Sequence, residues 1–180
     1  MSSGGSLSIN SIHDHREACM TRAQHNLCGC LAVLICLVFT SVTVQAQEDE
    51  AFIQYRQKVM TANGANMGAI GDILKNKLPY QGHIVAHAQD IQRMSTLIPD
   101  AFKKDIAAGK TDAKPEIWKE WDKFTAAAEA MGKEAAELAK VAQSGNMEAI
   151  GAQVKQLGET CSNCHKPYRK PKEESYKNKP

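Results

Sequence analysis

From residue 48 onward, apolar side chains return in steps of three and four, the spacing that lines one face of a helix. A first helix is predicted from about Asp49 to Lys75. Ile53, Met60, Met67 and Leu74 stand at heptad spacing there, and Phe52, Val59 and Ile70 widen the stripe. Pro79 and Gly82 mark the turn that follows. A second helix starts near Tyr80 or His83 and carries Ile84, Ala88, Ile91, Met94 and Ile98. It is predicted to stop or kink before Pro99, because proline disfavours helical geometry in the residue ahead of it. Phe102 and Ile106 suggest a short helical extension before the Ala108-Gly109-Lys110-Thr111-Asp112 loop.

A third helix opens at Pro115, where the first turn needs no N–H. Its seam is Ile117, Trp121, Phe124, Ala128, Met131, Ala135, Leu138 and Ala142. Gly145 ends it, and Asn146 suits the N-cap of a fourth helix. In that helix Met147, Ile150, Val154, Leu157, Cys161 and Cys164 step by three, four, three, four, three. Both cysteines therefore continue a buried seam. Four amphipathic helices with short connections and a repeat near 3.5 predict an all-α, antiparallel up-down-up-down four-helix bundle.

Composition agrees with helices. Aromatic residues make up 6% of the 180 positions and hydrophobic residues 43%. That length suits one domain with a real core. A formal net charge of +2 gives no basic face of the kind that nucleic acid requires.

The first quarter of the chain reads differently. Leu31 to Phe39 is continuously apolar, preceded by Arg16 and Arg22 and followed by Val44-Gln45-Ala46. This order describes a secretory leader over residues 1–46, cleaved to leave Gln47 first. Met20 begins a leader of more ordinary length, so residues 1–19 read as an upstream extension. The competing reading is an uncleaved anchor, since Leu27 to Val44 is nearly long enough to span a bilayer. The mature domain covers residues 47–170 and has no membrane segment. Residues 171–180 form a basic tail that reads as a solvated, disordered end.

Cysteine usage points to the chemistry. Cys19, Cys28, Cys30 and Cys36 lie in the leader, so the mature chain keeps only Cys161 and Cys164. Cys161-Ser162-Asn163-Cys164-His165 is the attachment signal for one covalent haem c. Residues three and four apart share a helix face, so both thiols can bond the vinyl groups while His165 reaches the iron as proximal ligand. Export agrees, because this haem is attached outside the cytoplasm. A redox-active dithiol would sit at a helix N-terminus after a strand. A structural zinc site would need further cysteine or histidine ligands, and a plain disulfide leaves the adjacent His165 unexplained. His83 and His87, four apart on the second helix, read as an exposed polar face. No Ser-His-Asp arrangement or phosphate-binding loop is present, and the protein is not expected to be an enzyme.

With Tyr55-Arg56-Gln57 and Met60 in the first helix, Leu78-Pro79-Tyr80 after it, Pro115-Glu116-Ile117-Trp118 opening the third and Tyr168-Arg169 behind the haem motif, the chain resembles the class II c-type cytochromes, the cytochrome c-prime family. Class I members carry the motif near the N-terminus instead. The resemblance implies a periplasmic four-helix haem bundle, often a homodimer through its first two helices. It implies that Arg56 and Gln57 lie beside the haem near its propionates and Arg169 on the proximal side. Trp121 and Phe124, near the start of the third helix, are expected to pack against the haem. The family divides into high-spin members, with an open distal site that binds nitric oxide or carbon monoxide, and low-spin members that carry electrons with a first-helix methionine as sixth ligand. The Met60-Thr61-Ala62-Asn63-Gly64 segment is more similar to the low-spin branch. Met60 stands about 16 Å along its helix, the height expected opposite His165, and Met67 lies about 10 Å deeper. Met94 on the second helix is the rival. The expected function is single-electron transfer between redox partner proteins, with the five-coordinate gas-binding protein as the alternative.

Overall fold

The computed structural model describes residues 46–178. The chain divides into two units, Met1–Gln47 and Glu48–Pro180. The predicted leader, including the choice between Met1 and Met20, lies outside the described residues apart from Ala46.

Four long helices build the second unit. They are α1 (46–75), α2 (His83–Phe102), α4 (Trp121–Gln143) and α5 (Met147–Tyr168), with a one-turn helix α3 (Glu116–Lys119) between the middle pair. Their order and direction follow from contacts at both ends. Asn66 faces His87 while Arg56 lies over Phe102, so α2 runs back along α1. Gly132 lies against Ser95 and Phe124 against Phe102, which makes α4 antiparallel to α2. Gln153 Nε2 donates to Glu134 at 2.6 Å and Phe124 meets Tyr168, which reverses α5 against α4. The bundle is the predicted up-down-up-down one. Among the described residues, no helix is long and apolar enough to cross a membrane.

The predicted seams become the core. Ile70, Ile84, Ile91, Ile117, Leu138, Ile150 and Leu157 are almost wholly buried. Asn146 caps α5 as expected, its side chain accepting from the N–H groups of Glu148 and Ala149. Gly145 ends α4 with φ +68°, a conformation that carries little cost only without a β-carbon.

Three expectations need correction. Of the two outcomes expected at Pro99, a stop does not occur, and α2 continues to Phe102. It loses one backbone donor there and keeps Ile98, Ala101 and Phe102 in the core. Ile106 is buried but lies in a non-helical connection, not in a helical extension. The third helix is broken at Glu120, with φ −121° and ψ 43°. The break coincides with two tertiary anchors: Trp118 Nε1 donates to the Phe102 carbonyl at 2.7 Å, and Tyr168 Oη donates to Glu120 at 3.3 Å.

The tail also differs from expectation. Instead of fraying, residues 171–178 form two 3-10 turns folded onto the 111–114 segment. Asp112 holds them, accepting from Ser175 Oγ and the Tyr176 N–H, both at 3.0 Å. A basic composition describes solvation only while no carboxylate captures the backbone.

Close packing of α2 on α4 gives a stability prediction. A β-carbon at Gly132 would overlap Ser95 Oγ and stand 3.3 Å from its Cβ. Gly132→Ala should therefore destabilise the protein by about 1–3 kcal/mol in urea unfolding, despite alanine's better helix propensity. Adding Ser95→Gly should recover part of that loss.

Candidate haem site

The last turns of α5 present Cys161, Cys164 and His165 in i, i+3, i+4 relation, so the three share one side of the helix. Cys161 and Cys164 are free thiols, half-buried and packed against the core cluster. Burial raises the pKa of Cys161, and burial followed by the neighbouring Cys161 pushes Cys164 up to about 11. A redox-active dithiol sits at a helix N-terminus, whereas these thiols lie in the last turns of α5. His165 is open to solvent by area, yet its imidazole is enclosed enough that desolvation, then Arg169, lowers its pKa. Among the described residues no group of three or more His, Cys, Asp or Glu side chains converges to hold a bare metal ion.

What faces this turn follows from one contact. The Met67 methyl lies 3.7 Å from where a β-carbon would stand on Gly158, so these residues mark the same height on α1 and α5. Both helices rise equally per residue, and they run in opposite directions. Seven residues back along α1 and seven forward along α5, about 10 Å in each case, Met60 and His165 are level. Met60 and Met67 are half-buried and packed against the core. Met94 is half-buried at similar height on α2 but is not among the side chains packed on that core.

Between Met60 and Met67 on α1 stands Asn63. Its Nδ2 donates to the Val59 carbonyl at 3.2 Å, while its Oδ1 is buried without a partner, alone in this among the described side chains. A stranded acceptor costs about 1–3 kcal/mol. An unpartnered acceptor between two half-buried methionines, near the level of the Cys161–His165 turn, fits a further group bound there. The residues present fit a covalently bound haem.

Arg56 and Gln57 border this end of the bundle but spend their donors within the chain. Arg56 is 2% exposed; its Nη2 donates to the Ile106 carbonyl at 2.6 Å and to Thr111 Oγ1 at 2.7 Å. Its guanidinium lies over the rings of Phe102 and Trp118. Desolvation by burial brings its pKa down to about 10, opposed in part by Asp105. Gln57 Nε2 donates to the Lys110 carbonyl at 2.7 Å. Both therefore fix the 103–114 connection against α1.

Phe124 is buried among Phe102, Trp121 and Tyr168, with ring centroids 5.2, 5.7 and 5.4 Å away. Tyr168 lies three residues past His165, so the start of α4 is level with the end of α5, as the sequence predicts. Trp121 is half-buried at the edge of this cluster. Arg169 closes α5, its N–H donating to the His165 carbonyl and its guanidinium 3.8 Å from Asp112. Thr111, Asp112 and Glu120 carry much of this architecture and have no motif of their own in the sequence. His83 is exposed and stacks on Tyr80, whereas His87 is half-buried with its Nδ1 2.8 Å from Asn66 Oδ1 on α1, so only His83 lies on an exposed face.

A Cys-x-x-Cys-His turn on the final helix of an antiparallel four-helix bundle, packed against the bundle core, defines a class II c-type cytochrome. The family model described as cytochrome c' matches residues 51–169. The chain is 37% identical over 140 residues to a cytochrome c' of Rhodospirillum rubrum, covering 77% of this chain and 95% of that one. It is 28% identical over 145 residues to a cytochrome c-554 of Cereibacter sphaeroides, covering 77% and 94%. A nitric oxide complex of a variant cytochrome c prime from Alcaligenes xylosoxidans superposes with a TM-score of 0.61 at 28% identity, over 68% of this chain and 97% of that one. The chain belongs to the cytochrome c' family, whose members are non-enzymatic proteins with one covalent haem c, periplasmic in bacteria.

Proposed function

We propose that this cytochrome carries single electrons between redox partner proteins, with Cys161 and Cys164 holding the haem as thioethers, His165 as proximal ligand and Met60 as sixth ligand. The observation that supports it is the Met67–Gly158 contact, from which Met60 and His165 are level on facing helices. When bound, the haem supplies a one-electron iron couple, and a methionine thioether favours the reduced form. The chain's own part is to keep that site apolar. Met60 excludes water there, and Arg56 and Gln57 hold the 103–114 connection against α1. Trp121, Phe124 and Arg169 complete the surroundings. The test is the spin state of the purified holoprotein, since two filled axial positions give a low-spin haem indifferent to carbon monoxide.

The second reading, a five-coordinate cytochrome binding nitric oxide or carbon monoxide, draws on the solved nitric oxide complex above. In it Met60 would occlude the distal side without bonding. A homodimer through α1 and α2 is compatible with either role.

If Trp121 touches the haem, its fluorescence in a Trp118→Phe background should be almost fully quenched in the holoprotein, and bright emission would place it in ordinary core packing. Export should leave a mature protein beginning at or within a residue or two of Gln47, which intact mass of the periplasmic product checks. Recovery of the full-length chain in the membrane fraction would show an anchor instead.

A further inference from the structure

We propose that the C-terminal segment from Lys166 to Lys177 is an ordered cationic collar around the haem-attachment end, and that it docks the acidic face of a protein redox partner. The proposal rests on the electron-carrier reading and goes beyond it by naming the surface and the chemistry of its partner.

Charge is distributed unevenly along the chain. Residues 47–159 hold fourteen cations against sixteen carboxylates, a net −2, whereas residues 160–180 hold six cations against Glu173 and Glu174 only, a net +4. The positive surplus therefore sits on the turn that carries His165 and on the chain leaving it. The family match ends at Arg169, so most of the segment lies beyond the part shared with the family model.

The structure gives this surplus a fixed shape. Asp112 accepts from Ser175 Oγ and the Tyr176 N–H through its carboxylate, and from the Lys170 N–H through its carbonyl at 2.8 Å. Lys170 Nζ donates to the Thr111 carbonyl at 3.0 Å, and the Lys114 N–H donates to the Tyr168 carbonyl at 3.0 Å. The clasp consumes one carboxylate. Apart from Arg169, which lies near Asp112, none of the collar's cations has a carboxylate within ion-pair distance among the described residues. Several acids elsewhere at this end are paired locally, Glu48 and Asp49 with Lys104, Glu116 with Lys119 and Glu120 with Lys123. Folding cations into a defined position without neutralising them leaves a positive field at the place where electrons must enter or leave. Such a field speeds encounter with an acidic surface and orients it. A protein partner is favoured over a membrane because the cations cluster on the turn that binds the haem and on the chain leaving it, where electrons must pass.

The experiment uses reduced holoprotein and two small oxidants of opposite charge, ferricyanide and tris(phenanthroline)cobalt(III), across a range of ionic strength. The ferricyanide rate should fall as salt rises and the cobalt rate should climb. Lys172→Glu with Lys177→Glu should slow ferricyanide by roughly threefold or more at low salt, and speed the cobalt reagent. Lys133→Glu with Lys140→Glu, an equal charge change on α4 toward the far end, should have a clearly smaller effect. Equal effects from the two pairs, or rates indifferent to salt, overturn the proposal. So does tail-dependent binding to phosphatidylglycerol vesicles, which would make the collar a membrane contact. Spectra of the same samples keep the two claims apart: a five-coordinate haem defeats the carrier reading, whereas the site dependence of the rates judges the collar.

Discussion

Replacing both Cys161 and Cys164 with alanine should abolish haem staining of the denatured polypeptide, where the wild-type chain keeps its haem through acid, organic solvent and denaturing electrophoresis. Coordination by His165 is reversible and is lost when the imidazole is protonated or the fold opens, whereas a thioether survives both. The single variants Cys161→Ala and Cys164→Ala should each retain one bond and stain more weakly. The geometry makes this test specific. Both thiols are half-buried on the seam of α5 and point to the same side as His165. His165→Ala leaves the thioethers chemically feasible but removes the proximal ligand, so holoprotein yield should collapse while any haem obtained stays covalent. Extraction of wild-type haem by acidified solvent would contradict the site.

The second large effect is expected at Met60. Met60→Ala should convert a low-spin, carbon monoxide-resistant haem into a high-spin one that binds the gas, with little loss of covalent attachment. Truncating a half-buried methionine costs at most about 2–5 kcal/mol of packing, so stability alone does not explain a change of spin state. Met67→Ala is the control. It lies about 10 Å along α1, against Gly158, and should soften the core without opening the iron. If Met94→Ala alone produced the change, the ligand would come from α2.

Much of this arrangement was legible in the chain because helical periodicity and the haem motif are local signals. The steps of three and four through Ile117 to Ala142 and through Ile150 to Cys164 predicted which faces are buried, and antiparallel packing then set the start of α4 beside Tyr168. What local pattern could not carry was decided by tertiary contacts. Pro99 weakens a helix on its own, yet burial of Ala101 and Phe102 against α4 carries α2 past it. The residues around Glu120 have no breaking signal; the break follows from Trp118 reaching Phe102 and Tyr168 reaching Glu120. Resemblance places Arg56 beside the haem propionates, and its contacts with Ile106 and Thr111 depend on a loop some fifty residues away. The tail could not be read as ordered either, since its partner Asp112 looks like any loop aspartate in the sequence.

Cys161, Cys164 and His165 would hold one covalent haem, with Met60 as the second ligand to an electron-transferring iron. The most direct test is the absorption spectrum of the wild-type holoprotein, oxidised and reduced, with and without carbon monoxide. A low-spin spectrum is expected in both oxidation states, with sharp α and β bands on reduction that carbon monoxide leaves unchanged. A high-spin spectrum in both states, with a Soret band that shifts when the gas is added, would contradict it and leave Met60 as an occluding side chain over an open iron.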